Sequence, residues 1–197
     1  MNIKSLLPIF SMLVLLLSSA CGSGPPARMY LLEPVLAPEA VEPIDGVTDI
    51  GLTVVNLPGY AADQRIASRN TQRLIRQAEK HRWAEEPEEA ITRVLADRLR
   101  YMSKANVVVE PWPRGFEPQA RVEVTLDKLL REASGGVEMS GQVEIIAGDG
   151  RSVKAIRTFQ VIHYAETTDY NAYFDAVAAG INDIVRIATG AIRTGIK

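Results

Sequence analysis

Three consecutive segments in the second half of the chain alternate apolar and polar residues with a period of two, and they narrow the fold more than any other feature. In the first, Val122, Val124 and Leu126 alternate with Glu123, Thr125 and Asp127. In the second, Val137, Met139, Val143 and Ile145 alternate with Glu138, Ser140, Gln142 and Glu144. A third strand is expected over roughly Val153 to Ala165. Short turns separate them, at Ser134-Gly135-Gly136 and in "GDGRS". The spacing therefore predicts an antiparallel meander with one face on a core and the other in water.

The apolar face of a meander needs a second layer, and two amphipathic helices supply it. Glu85 and Glu86 precede Pro87, which places acidic groups near the positive end of a helix with proline in its first turn. Ile91, Val94, Leu95, Leu99 and Met102 then recur at three- and four-residue spacing, with Arg93, Asp97 and Arg100 opposite, and the helix ends near Ser103. A second helix starts at about Tyr170, with Tyr173, Val177, Ile181, Ile184, Ala188 and Ile192 as its stripe. Gly180 and Gly190 weaken it by up to about 1 kcal/mol each, a cost that close approach to the sheet would explain.

The remaining segments complete the sheet. "MYLLEP" reads as a first strand, "DIGLTVVNLP" (Asp49 to Pro58) as a β-branched strand closed by proline, "QRIASRN" as a shorter one, and "NVVVEP" as a buried strand. "TQRLIRQAEKHRW" fits both a helix and a strand, and propensity favours the helix. Pro34, Pro38 and Pro43 leave no regular element before Gly46. The expected fold is α/β, more narrowly an α+β sandwich: a mostly antiparallel mixed sheet with two amphipathic helices packed on it. The 177 residues that follow the first twenty can bury about 70% of their unfolded surface, so the fold needs neither metal nor disulfide.

The N-terminus has a different character. Lys4 is the only charged side chain in the first twenty residues, and Leu6 to Leu17 is broken only by Pro8 and Ser11. The run is too short to cross a bilayer, which needs roughly 20 residues. A positive start, a short apolar stretch and small residues describe a secretory signal instead. Cys21, the single cysteine, follows directly. It is a free thiol, an intermolecular disulfide or a modified residue. Ser18-Ser19-Ala20-Cys21 resembles the bacterial lipobox, with Ser18 where that motif prefers leucine, which implies acylation of Cys21, palmitate included. Two or more chains at about 0.8 kcal/mol per buried methylene make a stable anchor. Gly22 rather than aspartate after the cysteine implies, by the same resemblance, the periplasmic face of the outer membrane of a Gram-negative bacterium. The expected organisation is a signal peptide over 1–20, a flexible tether over 21–28 and a single domain over 29–197.

Loss of Lys4 leaves 21 basic against 24 acidic side chains, a net charge of −3. Bulk charge gives such a domain no reason to bind nucleic acid. No catalytic constellation is legible. His81 and His163 each lack a second ligand at metal spacing and read as exposed or edge residues, so no metal or cofactor is expected. There is no Gly-x-Ser-x-Gly or Ser-x-x-Lys pattern. "ASGGVEMSGQ" looks like an ATPase signature loop, but no phosphate loop accompanies it. Trp83 and Trp112 sit at element boundaries, as core or rim anchors or as contact centres for a partner.

Taken in order, the lipobox, "MYLLEP", "VVNLPGYAADQRIASRN", "RWAEEPEEAITRVLADRLR" and "NVVVEPWP" resemble the ABC-type transport auxiliary lipoproteins, the PqiC-like family. Leu57, Pro58 and Tyr60 match its Leu-Pro-x-Tyr. Gln64, Ile66 and Arg69 match its next strand, and Arg82-Trp83-Ala84-Glu85 its helix approach, with Glu86-Pro87 where the family often has Pro-Leu. The resemblance implies that "LIRQAEKHRW" is a strand. It implies a non-catalytic outer-membrane lipoprotein that works with MCE-domain proteins and their inner-membrane permease and ATPase in lipid transport and membrane integrity. Docking to the tip of a periplasmic conduit is the mechanism it suggests, and a homo-oligomeric ring would fit a tubular partner. An assembly scaffold without a transport role and a lipoprotein hydrolase are the alternatives.

Overall fold

The computed structural model describes residues 26–35, 42–165 and 167–196, so Cys21, the signal peptide and most of the tether lie outside the described residues. The elements are β1 (Arg28–Tyr30), β2 (Asp49–Leu52), β3 (Arg65–Arg69), β4 (Ile75–Trp83), α1 (Pro87–Ser103), β5 (Asn106–Val109), β6 (Ala120–Arg131), β7 (Val137–Ala147), β8 (Val153–His163) and α2 (Tyr170–Gly195). The first strand begins at Arg28, one residue inside the expected tether.

The alternating segments form the expected meander: β6 pairs antiparallel with β7, and β7 with β8. β6 is the spine of the sheet. Along its other edge its N-terminal half pairs in parallel with β2, and its end with β3. β2 carries β5, while β3 leads through β4 to β1, which makes one eight-stranded sheet. The parallel ladders are short and the antiparallel ones long, so the sheet is mixed and mostly antiparallel. The two helices pack on it, α2 against β7 and β8 and α1 against β5 and α2.

Local chemistry explains where these elements stop. α1 starts with Pro87 after an extended Glu86, carries Glu88 and Glu89 in its first turn, and ends at a left-handed Lys104. Asp169 caps α2 by accepting a hydrogen bond from the Ala172 N–H at 2.8 Å. The turn after β6 holds Gly135 at φ +94, a conformation that favours glycine. β6 bulges between Leu126 and Lys128. Opposite sits Gly141, where a Cβ would lie 1.9 Å from the Thr125 carbonyl oxygen.

Two expectations change, and one ambiguity is resolved. "DIGLTVVNLP" is not one strand: β2 stops at Leu52 because the Val55 N–H donates to the buried Thr92 hydroxyl of α1 at 2.9 Å rather than to a neighbouring strand. Beyond Leu52 the Thr53 N–H still donates to the Val122 carbonyl at 3.1 Å, and the chain rejoins β6 at the bridge from Asn56 to Thr125. β5 is an edge strand rather than a buried one, with Val107 buried and Val108 and Val109 half-buried. "LIRQAEKHRW" is a strand, as the family resemblance implied and helix propensity did not. Ladders to β1 and β3 hold it, although most of its side chains are exposed or half-buried.

The inner stripe of α2 is buried as its spacing predicts. Its two glycines differ. At Gly180 a Cβ would lie 2.5 Å from Met139 Sδ of β7, so the close approach is real; at Gly190 nothing stands within 4 Å. Arg98 on α1 was not anticipated: it is 2% exposed. Its Nε donates to Asn182 Oδ1 at 2.6 Å, and both Nη atoms are buried without a hydrogen-bond partner among the described residues.

Candidate functional site

Two surfaces gather the residues singled out in the sequence. The first is an aromatic stack that joins the first strand to the last helix. β1 and β4 run parallel with Arg28 opposite His81 and Tyr30 opposite Trp83. The Tyr30 ring stacks on His81 at 5.7 Å and on Phe174 at 5.5 Å. His81 lies face to face with Tyr170 at 3.9 Å between centroids, and the Arg131 guanidinium sits 4.7 Å from the Tyr170 centroid. The Tyr30 hydroxyl is hydrogen-bonded to His81 Nδ1 at 2.8 Å.

His81 is therefore half-buried on an inner strand and not an exposed residue. Burial first, then the charges of Arg28 and Arg131, hold its pKa below the usual histidine value. His163 lies on the edge strand β8, with Nε2 2.7 Å from Asp183 Oδ2 of α2. Among the described residues no group of three or more His, Cys, Asp or Glu side chains could hold a metal ion. Trp83 is 2% exposed, packed edge-on against Phe174 at 4.7 Å and Tyr173 at 6.4 Å. Its ring closes the core and has no free face for a partner.

Trp112 is placed differently. It stands in the loop between β5 and β6, half-buried, with Nε1 donating to the Val108 carbonyl at 3.1 Å. Its ring lies on Gly51 of β2, so close that a Cβ there would come within 2.6 Å. Arg121 sits 4.8 Å from the ring centroid, and Phe116 is 6.1 Å away. The loop thus offers an aromatic and cationic patch on the face of the sheet away from the helices. Trp83 and Trp112 do not share a site.

The sheet also carries a concavity of about 650 Å³ lined by Arg69, Arg73, Glu132, Glu138, Ile162 and Tyr164 among others. Its acidic side chains are matched internally. Glu138, 7% exposed, accepts from Lys128 at 2.8 Å, Arg69 at 3.1 Å and Gln160 at 3.2 Å, and Glu132 accepts from Arg69 at 2.7 Å. The Lys128 hydrogen bond leads the causes that hold the Glu138 carboxyl below its usual range, against the effect of burial. These groups converge, but they form a salt-bridge network rather than a nucleophile with a base. Among the described residues no helix is long and apolar enough to cross a membrane.

The residues matched in the family motif act as clamps in this arrangement. The Leu129 N–H donates to the Tyr60 hydroxyl at 3.4 Å, which ties the Leu-Pro-x-Tyr loop to β6. Gln64 donates to Glu86 at 2.8 Å beside the start of α1, while Arg69 anchors β3 to Glu132 and Glu138. Glu85 pairs with Arg93 at 3.0 Å.

Comparison with known proteins follows the same lines. No curated protein matches the sequence. Among solved structures, an uncharacterized protein superposes with a TM-score of 0.70 at 17% identity, covering 85% of this chain and 99% of that one. A protein from Xanthomonas campestris superposes with a TM-score of 0.69 at 14% identity, covering 84% and 95%. One from Chlamydia trachomatis reaches 0.50 at 8% identity, covering 75% and 98%. At these identities the likeness is one of fold. The ABC-type transport auxiliary lipoprotein component family matches residues 30–187. That span holds the aromatic stack, the Trp112 loop and every motif residue named above. The chain belongs to this family of non-catalytic lipoproteins, auxiliary components of ABC-type transport that are extracytoplasmic and membrane-anchored.

Proposed function

We propose that the chain is the outer-membrane lipoprotein of an MCE-type lipid transport system, with Cys21 acylated, residues 1–20 removed and residues 29–197 acting as a single docking domain on the periplasmic face. It receives the tip of the conduit formed by an MCE-domain protein, whose permease and ATPase sit in the inner membrane, and so supports membrane integrity. The observation that carries this reading is the family match together with the position of the cysteine. β1 begins at Arg28, and at roughly 3.3–3.6 Å per residue the stretch from Cys21 spans at most about 25 Å. The domain would stay within one domain diameter of the bilayer and act by contact. The Trp112 patch, a half-buried aromatic under a guanidinium, has the composition of a contact centre.

Replacing Cys21 with Ser should release a soluble, folded domain from membranes, and the acylated wild type should co-purify with an MCE protein. A Cys21→Ser variant that stays membrane-bound overturns the anchor. Absence of an MCE protein from the co-purified material favours an assembly scaffold instead.

A further inference from the structure

The sheet has one long unprotected edge. β8 runs for 11 residues and, among the described residues, its backbone pairs only with β7. The strands at the opposite margin are short: β1 has three residues and β5 four. A free edge presents alternate N–H and C=O groups as a template for another strand, and folded proteins usually blunt it with proline, a bulge or a cover. β8 contains no proline. Its only irregularity lies opposite Ile145 and Ile146, so Ala155 to His163 runs in regular register with β7. The Ile156 carbonyl is met by the guanidinium of Arg157 at 2.9 Å, a side chain standing where a neighbouring strand would bond.

The side chains along this edge indicate what would pair with it. Ile156 and Ile162 are 49% and 47% exposed on the face away from the helices, and Tyr164 beyond them is 82% exposed. From Arg151 to Ala165 the basic side chains are Arg151, Lys154 and Arg157, and none is acidic, in a chain whose net charge is −2. The acidic groups of the adjacent strand are engaged: Glu138 by Lys128 and Arg69, and Glu144 by the Gln142 amide. Two β8 edges brought together would put four cationic and no acidic side chains on one seam, so a second copy offers this edge no charge complement.

We infer that the free edge of β8 is a strand-addition site that takes an extended acidic segment of a partner protein. Backbone bonds to Ile156, Thr158, Gln160 and Ile162 would supply the pairing. Lys154 and Arg157 would select acidic residues, and Ile156 and Ile162 would receive aliphatic ones. This assignment does not rest on the transport reading, since any acidic extended segment satisfies it.

The test uses the full chain in detergent micelles and a fluorescein-labelled nine-residue peptide of alternating valine and glutamate, with a valine–lysine peptide as control. The acidic peptide should bind, with affinity that falls as salt rises, and should slow hydrogen exchange at the β8 amides, while the basic one should neither bind nor slow exchange. The double variant Lys154→Glu/Arg157→Glu should weaken binding by roughly tenfold or more and leave the far-ultraviolet circular dichroism unchanged. Thr158→Pro should abolish it, because residue 158 points to the same side as the Ile156 carbonyl and proline has no N–H to offer. The proposal fails if the peptide does not bind, if binding leaves β8 exchange unchanged, or if the charge reversal has no effect. It also fails if light scattering shows the free chain to be an oligomer whose β8 amides are already protected, since a second copy then holds the edge.

Discussion

The two glycines of α2 form an internal control for how closely the helix layer rests on the sheet. Both lie in the same helix, so replacement by alanine gives each the same gain in intrinsic helix propensity, about 1 kcal/mol. At Gly190 the new methyl meets nothing within 4 Å, and the full gain should appear. At Gly180 it would stand 2.5 Å from Met139 Sδ, with Val161 Cγ2 at 3.6 Å and His163 Cδ2 at 3.7 Å behind it. Met139 is 0% exposed, so its thioether can move only by displacing other core groups. Overpacking of this kind costs about 1–3 kcal/mol. Gly180→Ala should therefore be neutral to about 2 kcal/mol destabilised, and Gly190→Ala stabilised by up to about 1 kcal/mol. At about 2–4 °C per kcal/mol for a chain of this size, the two melting temperatures should differ by about 2–12 °C. Thermal melts followed by circular dichroism read this directly. A double variant Gly180→Ala/Met139→Val should recover part of the loss, because it removes the colliding sulfur. Equal shifts for the two single variants would refute the close-packing argument.

Acid should loosen the aromatic stack. The folded-state pKa of His81 lies below its unfolded value of 6.5, so the unfolded chain takes up the proton first on acidification. Its contribution to stability is full above pH 6.5 and declines as pH falls through that value toward the folded pKa. Urea melts between pH 7.5 and 5 should show this decline, and His81→Phe, which keeps a ring in the stack, should flatten it relative to wild type. Glu138→Gln leaves Arg69 and Lys128 without the negative charge they share and should lower stability by about 1–3 kcal/mol, the lower end reflecting the partial exposure of both cations. The depressed pKa of Glu138 means that the wild-type advantage is full above pH 4.5 and declines below it, as pH falls toward the lower folded-state pKa. Urea denaturation of the two proteins at pH 7 and pH 3.5 checks both points.

The sequence made the meander and both helices legible because their periods are clean and one face of each is buried. Other segments were less legible where tertiary pairing overrides local pattern. β4 carries Arg76, Gln77, Glu79 and Lys80, good helix formers, and is a strand because β1 and β3 hydrogen-bond it from both sides. β2 ends early because of a hydroxyl on α1, Thr92, which no local pattern connects to Val55. Arg98 did leave a signal: it falls three residues after Leu95 and four after Val94, inside the apolar stripe, where a charged side chain must be buried. Trp83 and Trp112 were equal candidates by composition. Only the approach of Phe174 and Tyr173 to the first, and the bare backbone of Gly51 beneath the second, separates them. The aromatic stack draws on residues from Tyr30 to Phe174, a separation that periodicity does not encode.

That separation also governs the order of events during synthesis. Tyr30 waits for His81 and then for Phe174, the Val35 carbonyl waits for the Asn182 amide, and the Glu42 carbonyl for Arg193. Apart from the contact with His81, each of these joins the beginning of the chain to its last helix. A nascent polypeptide without residues 170–195 can pair its first strand with β4, but it cannot complete the aromatic stack or the contacts at Val35 and Glu42. Loop closure on this scale makes completion of the fold slow and late.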